Sequence, residues 1–98
     1  MERIERVTAM ERYMNEAASA LAALDSALTA YEAALPVLAA LEAYYDADWR
    51  DDFAADEAGE LPRDLKRGVL SEDGLWNLLE KAREVRSRMA ALCGAKVE

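Results

Sequence analysis

Apolar residues recur at every third or fourth position through the first half of the chain. The series starts at Val7 and ends at Tyr45, and only Glu42 interrupts it. This heptad spacing is typical of a helix that packs lengthwise against another helix. We therefore predict one long helix over residues 1–46. Its apolar positions are Val7, Met10, Met14, Ala17, Leu21, Leu24, Leu28, Tyr31, Leu35, Leu38 and Tyr45.

Pro36 lies inside this series. A proline in a helix lacks the N–H group that would bond four residues back, and its ring presses on the carbonyl of Glu32. The heptad register is the same on both sides of Pro36, which favours a helix that is kinked there over one that is broken. Both alternatives are open at this point.

A second, shorter helix is predicted over residues 71–94. Ser71 suits the N-cap position, and Leu70 with Leu75 occupies the two positions of a hydrophobic staple. Gly94 can end the helix. Its apolar positions are Leu75, Leu78, Ala82, Val85, Met89 and Leu92.

The connection between the two helices, residues 47–70, is too long to be structureless in a small domain. We predict that it is folded and contains a short helix with Trp49 and Phe53 one turn apart, followed by a turn between Pro62 and Gly68. The residues predicted to be structural anchors are Trp49, Phe53, Leu70, Ser71, Leu75 and Trp76.

These elements predict an all-α fold in one domain, residues 1–98: a helical hairpin of two unequal helices. At the rise of an α-helix the first would be about 65 Å long and the last about 33 Å. Because the short helix cannot cover the long apolar stripe, we expect a homodimer. A second copy laid antiparallel would give a four-helix core.

Composition and charge exclude several kinds of partner. The chain has 98 residues, 20 acidic and 12 basic, for a net charge of -8. A nucleic acid or an anionic membrane surface would repel such a chain. No run approaches the roughly 20 apolar residues of a membrane span, and the start has no signal-peptide pattern. We expect a cytoplasmic protein with no nucleic-acid or membrane partner, and the single Cys93 fits a reducing compartment.

The residues available for catalysis are few. The chain has no histidine, which removes the Ser-His-Asp and Cys-His arrangements and most zinc sites. It has no glycine-rich phosphate-binding motif, and no cofactor is expected. The Asp/Glu cluster of residues 46–60 could serve a metal-dependent hydrolase or a small-ligand binder. Read as a calcium loop it fails at Arg50 and Asp51, so we favour a solvated acidic face and predict neither metal ligands nor catalytic residues.

A basic turn is the more specific candidate. Arg63, Lys66 and Arg67 lie on one turn with Asp64. They could form internal ion pairs with Glu57 and Glu60, or they could dock a carboxylate- or phosphate-bearing partner. The function favoured by the sequence is a non-enzymatic protein-interaction module. The partner-binding candidates are Arg63, Asp64, Lys66 and Arg67.

A family resemblance rests on three stretches. They are DFAADEAGELPRDLKRGVLSEDGLWNLL, the preceding YYDADW and the opening ERVTAMERYMNE. Together they resemble small bacterial proteins of the domain of unknown function 4298 family, over essentially the whole chain. The resemblance implies an all-helical bacterial protein of about this length. It implies no activity, cofactor or catalytic residue.

Overall fold

The computed structural model describes residues 2–94. It contains α1 (Arg3–Asp46), α2 (Trp49–Glu57), a short 3₁₀-helix (Gly68–Leu70) and α3 (Gly74–Cys93). No strand occurs within residues 2–94. The predicted all-α fold class is confirmed.

Contacts along the chain divide it into two compact units, residues 1–35 and residues 36–98. The first unit is helical from Arg3 onward. Glu2 and Glu5 cap its start reciprocally: each backbone N–H donates to the other's side-chain Oε1, at 3.3 Å from Glu2 and 2.9 Å from Glu5. None of the residues of α1 is buried. The first unit therefore has no core of its own.

Pro36 lies within the helical span of α1, so the alternative of a broken helix is not what the structure shows. The missing N–H of Pro36 leaves the carbonyl of Glu32 without its helical partner. Glu32 is exposed, which lets water take the place of that donor. The kink predicted near Pro36 stays a prediction.

By length and composition alone, α1 is also apolar enough to cross a membrane. The sequence pattern indicated no apolar run of this length. The helix passes the test because residues 17–41 are rich in alanine and contain few charged side chains. Within that stretch only Asp25 and Glu32 are charged. The mostly buried core helix of a soluble protein and an N-terminal signal sequence pass the same test, so length and composition do not by themselves assign a membrane span.

The second unit has a small core made by the end of the connection and the start of α3. Leu70, Leu75 and Leu79 are its buried side chains. Leu70 belongs to the 3₁₀-helix, whereas the other two lie one turn apart on α3 and share one of its faces. Other residues on each helix of the unit are partly buried, among them Leu38, Leu41, Tyr45, Trp49, Phe53, Ala82, Val85 and Met89.

The start of α3 differs from the prediction. The helix begins at Gly74 and not at Ser71, because the N–H of Ser71 bonds to the carbonyl of Gly68 and closes a turn first. The Ser71 hydroxyl still accepts the N–H of Gly74 at 3.1 Å, and it donates to the Gly68 carbonyl at 2.9 Å. A Cβ at position 74 would lie 2.3 Å from that hydroxyl oxygen. A side chain at position 74 would therefore displace the Ser71 hydroxyl and break this cap.

The end of α2 depends on Gly59, which has a φ of 76° in the left-handed region. Its N–H donates to the carbonyl of Asp56, and the N–H of Glu60 donates to the carbonyl of Ala55, both at 3.0 Å. This pair of bonds is a Schellman motif, and it satisfies carbonyls that the helix end would leave unpaired. The motif reverses the chain at the end of α2.

We expect Gly59→Ala to destabilise the fold by about 1 kcal/mol, because a Cβ disfavours the left-handed backbone. Gly68→Ala is the matched control: nothing lies within 4 Å of a Cβ there, and its φ lies outside that region. Urea unfolding followed by circular dichroism measures both. Equal losses in the two variants would contradict a special backbone requirement at Gly59.

Candidate functional site

Three aromatic side chains form a stack where α1 meets α2. Tyr45, Trp49 and Phe53 are spaced four residues apart, which places them on one helical face. The ring centroids of Tyr45 and Trp49 are 5.3 Å apart and tilted by 44°. Those of Trp49 and Phe53 are 4.9 Å apart and nearly parallel, at 18°. All three rings are partly buried.

Trp49 also makes a polar contact that links distant parts of the connection. Its indole Nε1 donates to the carbonyl of Val69 at 2.8 Å. Val69 lies in the 3₁₀-helix just before α3. The sequence pattern indicated Trp49 as an apolar anchor, whereas the structure adds this hydrogen bond between α2 and the entrance to α3.

Arg67 organises the turn that follows α2. Its guanidinium pairs with the carboxylate of Asp56 and also donates to the carbonyls of Pro62 and Leu65. The Asp56 side chain is only 15% exposed and that of Arg67 is 37% exposed. Arg67 thus forms an internal ion pair. Its partner is Asp56, and neither Glu57 nor Glu60, the acidic residues considered from the sequence.

The other residues of the predicted partner site are placed differently. Arg63, Asp64 and Lys66 are exposed. Within residues 2–94 none of the three takes part in a salt bridge. The four candidates therefore separate into one residue that holds the turn, Arg67, and three on its surface.

A buttressing hydrogen bond joins α1 to α2. The phenol of Tyr44 donates to Asp52 Oδ2 at 2.6 Å. The hydrogen bond to the Asp52 carboxylate, with partial burial and the negative charges of Asp52 and Asp48, raises the pKa of Tyr44 to about 12. Sequence reasoning missed this contact because Tyr44 and Asp52 lie on two different helices. Their spacing of eight residues matches no recognised motif, so the sequence carried no signal for this contact.

The acidic cluster of residues 46–60 does not converge on one point. Asp52 accepts the hydrogen bond from Tyr44, and Asp56 pairs with Arg67. Within the described part of the chain, no group of three or more Asp, Glu or Cys side chains could hold a metal ion. Both carboxylates make contacts that hold the connection in place.

Trp76 departs from its predicted role as an anchor. It is 50% exposed, whereas its neighbour Leu75 is buried. Successive residues on a helix point about 100° apart, so the face that buries Leu75 and Leu79 turns Trp76 outward. Of the predicted anchors, Leu70 and Leu75 are buried, and Trp49 and Phe53 are partly buried. Ser71 is exposed and acts through its hydroxyl.

Comparison with known families places these contacts in context. The family model described as "Domain of unknown function (DUF4298)" matches residues 7–92. The chain belongs to this family. The resemblance read from the sequence is thereby confirmed. No curated protein and no solved structure matches the chain. The matched range includes the aromatic stack and the Arg67 ion pair of this DUF4298 protein.

In the DUF4298 protein, Trp49→Phe should cost about 1 kcal/mol, because it keeps an aromatic stack and loses the hydrogen bond to Val69. Trp49→Ala should cost more and approach roughly 3 kcal/mol, the lower end of the range for truncating a buried aromatic residue. The lower end applies because Trp49 is only partly buried. Trp76→Ala is the control at a half-exposed tryptophan. Urea unfolding measures all three, and a larger loss for Trp76→Ala than for Trp49→Ala would contradict this assignment.

The titration of Tyr44 gives a pH prediction with a definite sign. A tyrosine ordinarily ionises near pH 10, whereas the native pKa of Tyr44 is raised to about 12. The native state therefore holds this proton more tightly than the unfolded state. The resulting stabilisation is present below about pH 10 and is lost as the pH rises through about 12.

Phenolate absorbance, taken as the difference between the wild type and Tyr44→Phe, reports this ionisation. Asp52→Asn should lower the pKa of Tyr44, because it removes the carboxylate that holds the proton. Asp51→Asn is the control at a neighbouring exposed carboxylate. An ordinary pKa for Tyr44 in the folded wild-type protein would disprove the hydrogen bond to Asp52.

Proposed function

We propose that this DUF4298 protein is a non-enzymatic interaction module, and that its turn of residues 62–67 docks an acidic segment of a partner protein through Arg63 and Lys66. One observation carries the proposal. Arg67 is used internally to hold the turn, while Arg63 and Lys66 are exposed and take part in no salt bridge of residues 2–94.

The order of the turn favours binding. Arg67 ends the turn and bonds to Asp56 before it and to the carbonyl of Pro62 at its start. Gly59 fixes the chain reversal that precedes the turn. A surface that is ordered before binding loses less conformational entropy when a partner docks. The two cations are therefore presented on a stable backbone.

The charge of the chain shapes what this surface can recognise. On a protein of net charge -8, Arg63 and Lys66 are local positive positions. Repulsion between the whole protein and an acidic partner is screened beyond about 8 Å at physiological ionic strength, so contacts at the turn decide the outcome. An arginine can engage a carboxylate through two hydrogen bonds.

Exposed apolar residues on the same segment add to the surface. Leu65 lies between the two cations in sequence and is 46% exposed, and Val69 follows at 37% exposed. An exposed ion pair contributes only about 0 to 1 kcal/mol, so charge alone would give weak binding. We therefore expect a partner segment that combines carboxylates with an apolar side chain.

A glutamate-rich peptide containing one leucine is the defined probe. Titrated into the labelled protein, it should shift the backbone amide NMR signals of residues 62–67. Arg63→Ala with Lys66→Ala should abolish these shifts and leave the melting temperature within a degree or two, because neither side chain holds the fold. Arg86→Ala with Arg88→Ala removes the same charge from exposed positions on α3 and should leave the shifts intact.

Arg67→Ala separates the structural role from the docking role. It leaves the largely buried Asp56 carboxylate without its partner, so it should lower stability by about 1 to 3 kcal/mol. The proposal fails if the peptide causes no shifts at millimolar concentration. It also fails if the Arg63 and Lys66 double variant binds the peptide as the wild type does.

A further inference from the structure

The first unit carries a long apolar stripe that no described part of the chain buries. We call it the N-terminal stripe. Its large side chains are between 41% and 65% exposed. In proteins, a helix gains most of its stability by packing its apolar face against another part of the structure or against a partner. The stripe consists of Val7, Met10, Met14, Ala17, Leu21, Leu24 and Leu28.

The accessible surface of the chain shows how much area is available for a partner. The chain exposes 8214 Å², whereas a folded monomer of its 10.9 kDa mass exposes about 5,600 Å². The excess is about 2,600 Å² per chain. Obligate homodimers bury roughly 2,000 to 5,000 Å² in total, so two such chains have enough surplus surface for one interface.

We propose that a second copy of this chain covers the N-terminal stripe, with residues 7–28 of the two copies packed along each other. The interface is isologous, because each copy offers the same row of large side chains to the other. Ala18, Ala20 and Ala27 flank the row, and their small side chains let two helices approach closely. This inference concerns a different surface from the turn and does not rest on the proposed function.

Charge argues for a protein occupant over a lipid one. Asp25 and Glu32 lie in the middle of the apolar stretch of α1. An acidic residue is strongly unfavourable at the centre of a bilayer, whereas beside a helix seam it stays in water. The net charge of -8 also repels anionic leaflets.

The decisive comparison uses two double variants that add the same charge to the same helix. Leu21→Glu with Leu24→Glu places it on the stripe. Ser19→Glu with Ser26→Glu places it on the opposite face, since each serine lies about 140° to 160° around the helix from the two leucines. Light scattering on a sizing column measures the mass of each at high micromolar concentration.

The wild type and the serine variant should elute at twice the chain mass of 10.9 kDa, and the leucine variant at the chain mass. Leu21→Ala with Leu24→Ala keeps the helix propensity, in case the glutamates unfold α1. It should weaken the dimer at least about a hundredfold by sedimentation, because four leucines leave the interface.

A monomeric wild type overturns the proposal, and so does a leucine-to-alanine variant that dimerises as tightly as the wild type. Flotation of the wild type with phosphatidylcholine vesicles would also overturn it, since a bilayer would then be the occupant. The peptide titration at the turn uses different residues, so its result is independent of these outcomes.

Discussion

The connection between the long and short helices is built around one guanidinium. Arg67 reaches a carboxylate on α2 and two carbonyls of its own turn, so a single side chain holds three points of the backbone together. The indole of Trp49 adds a second tie, from α2 to the segment before α3. Only three leucines are buried in the described residues. This unit therefore depends on such polar contacts more than a protein with a large core does.

Much of the fold was predictable from periodicity and helix-end chemistry. The heptad series indicated a helix over residues 1–46, and α1 spans Arg3–Asp46. The short helix ends just before Gly59, a position that a sequence can reveal because glycine adopts a left-handed backbone readily. The start of α3 was less predictable, since Ser71 first closes a turn with Gly68. Local propensity does not show whether Ser71 starts the helix directly or first closes the turn with Gly68.

The candidate site was predictable by residue type and less so by role. The basic turn was recognisable from its composition, but which cation is held internally depends on tertiary contacts. Asp56 pairs with Arg67 across eleven residues, and Tyr44 reaches Asp52 across a helix junction. Neither spacing is a recognised motif. For Trp76 the residue type itself was misleading. An aromatic side chain suggested burial, but Trp76 faces outward although its neighbour Leu75 is buried.

The Arg67 contacts restrict how the gene can change in length. Asp56, Pro62 and Leu65 must all meet one side chain, so an inserted or deleted codon between them would move at least one acceptor out of reach. The long helix has no such constraint, since adding or removing a whole heptad preserves its apolar row. Natural length variation should therefore concentrate in the helices, while the turn keeps a constant number of residues.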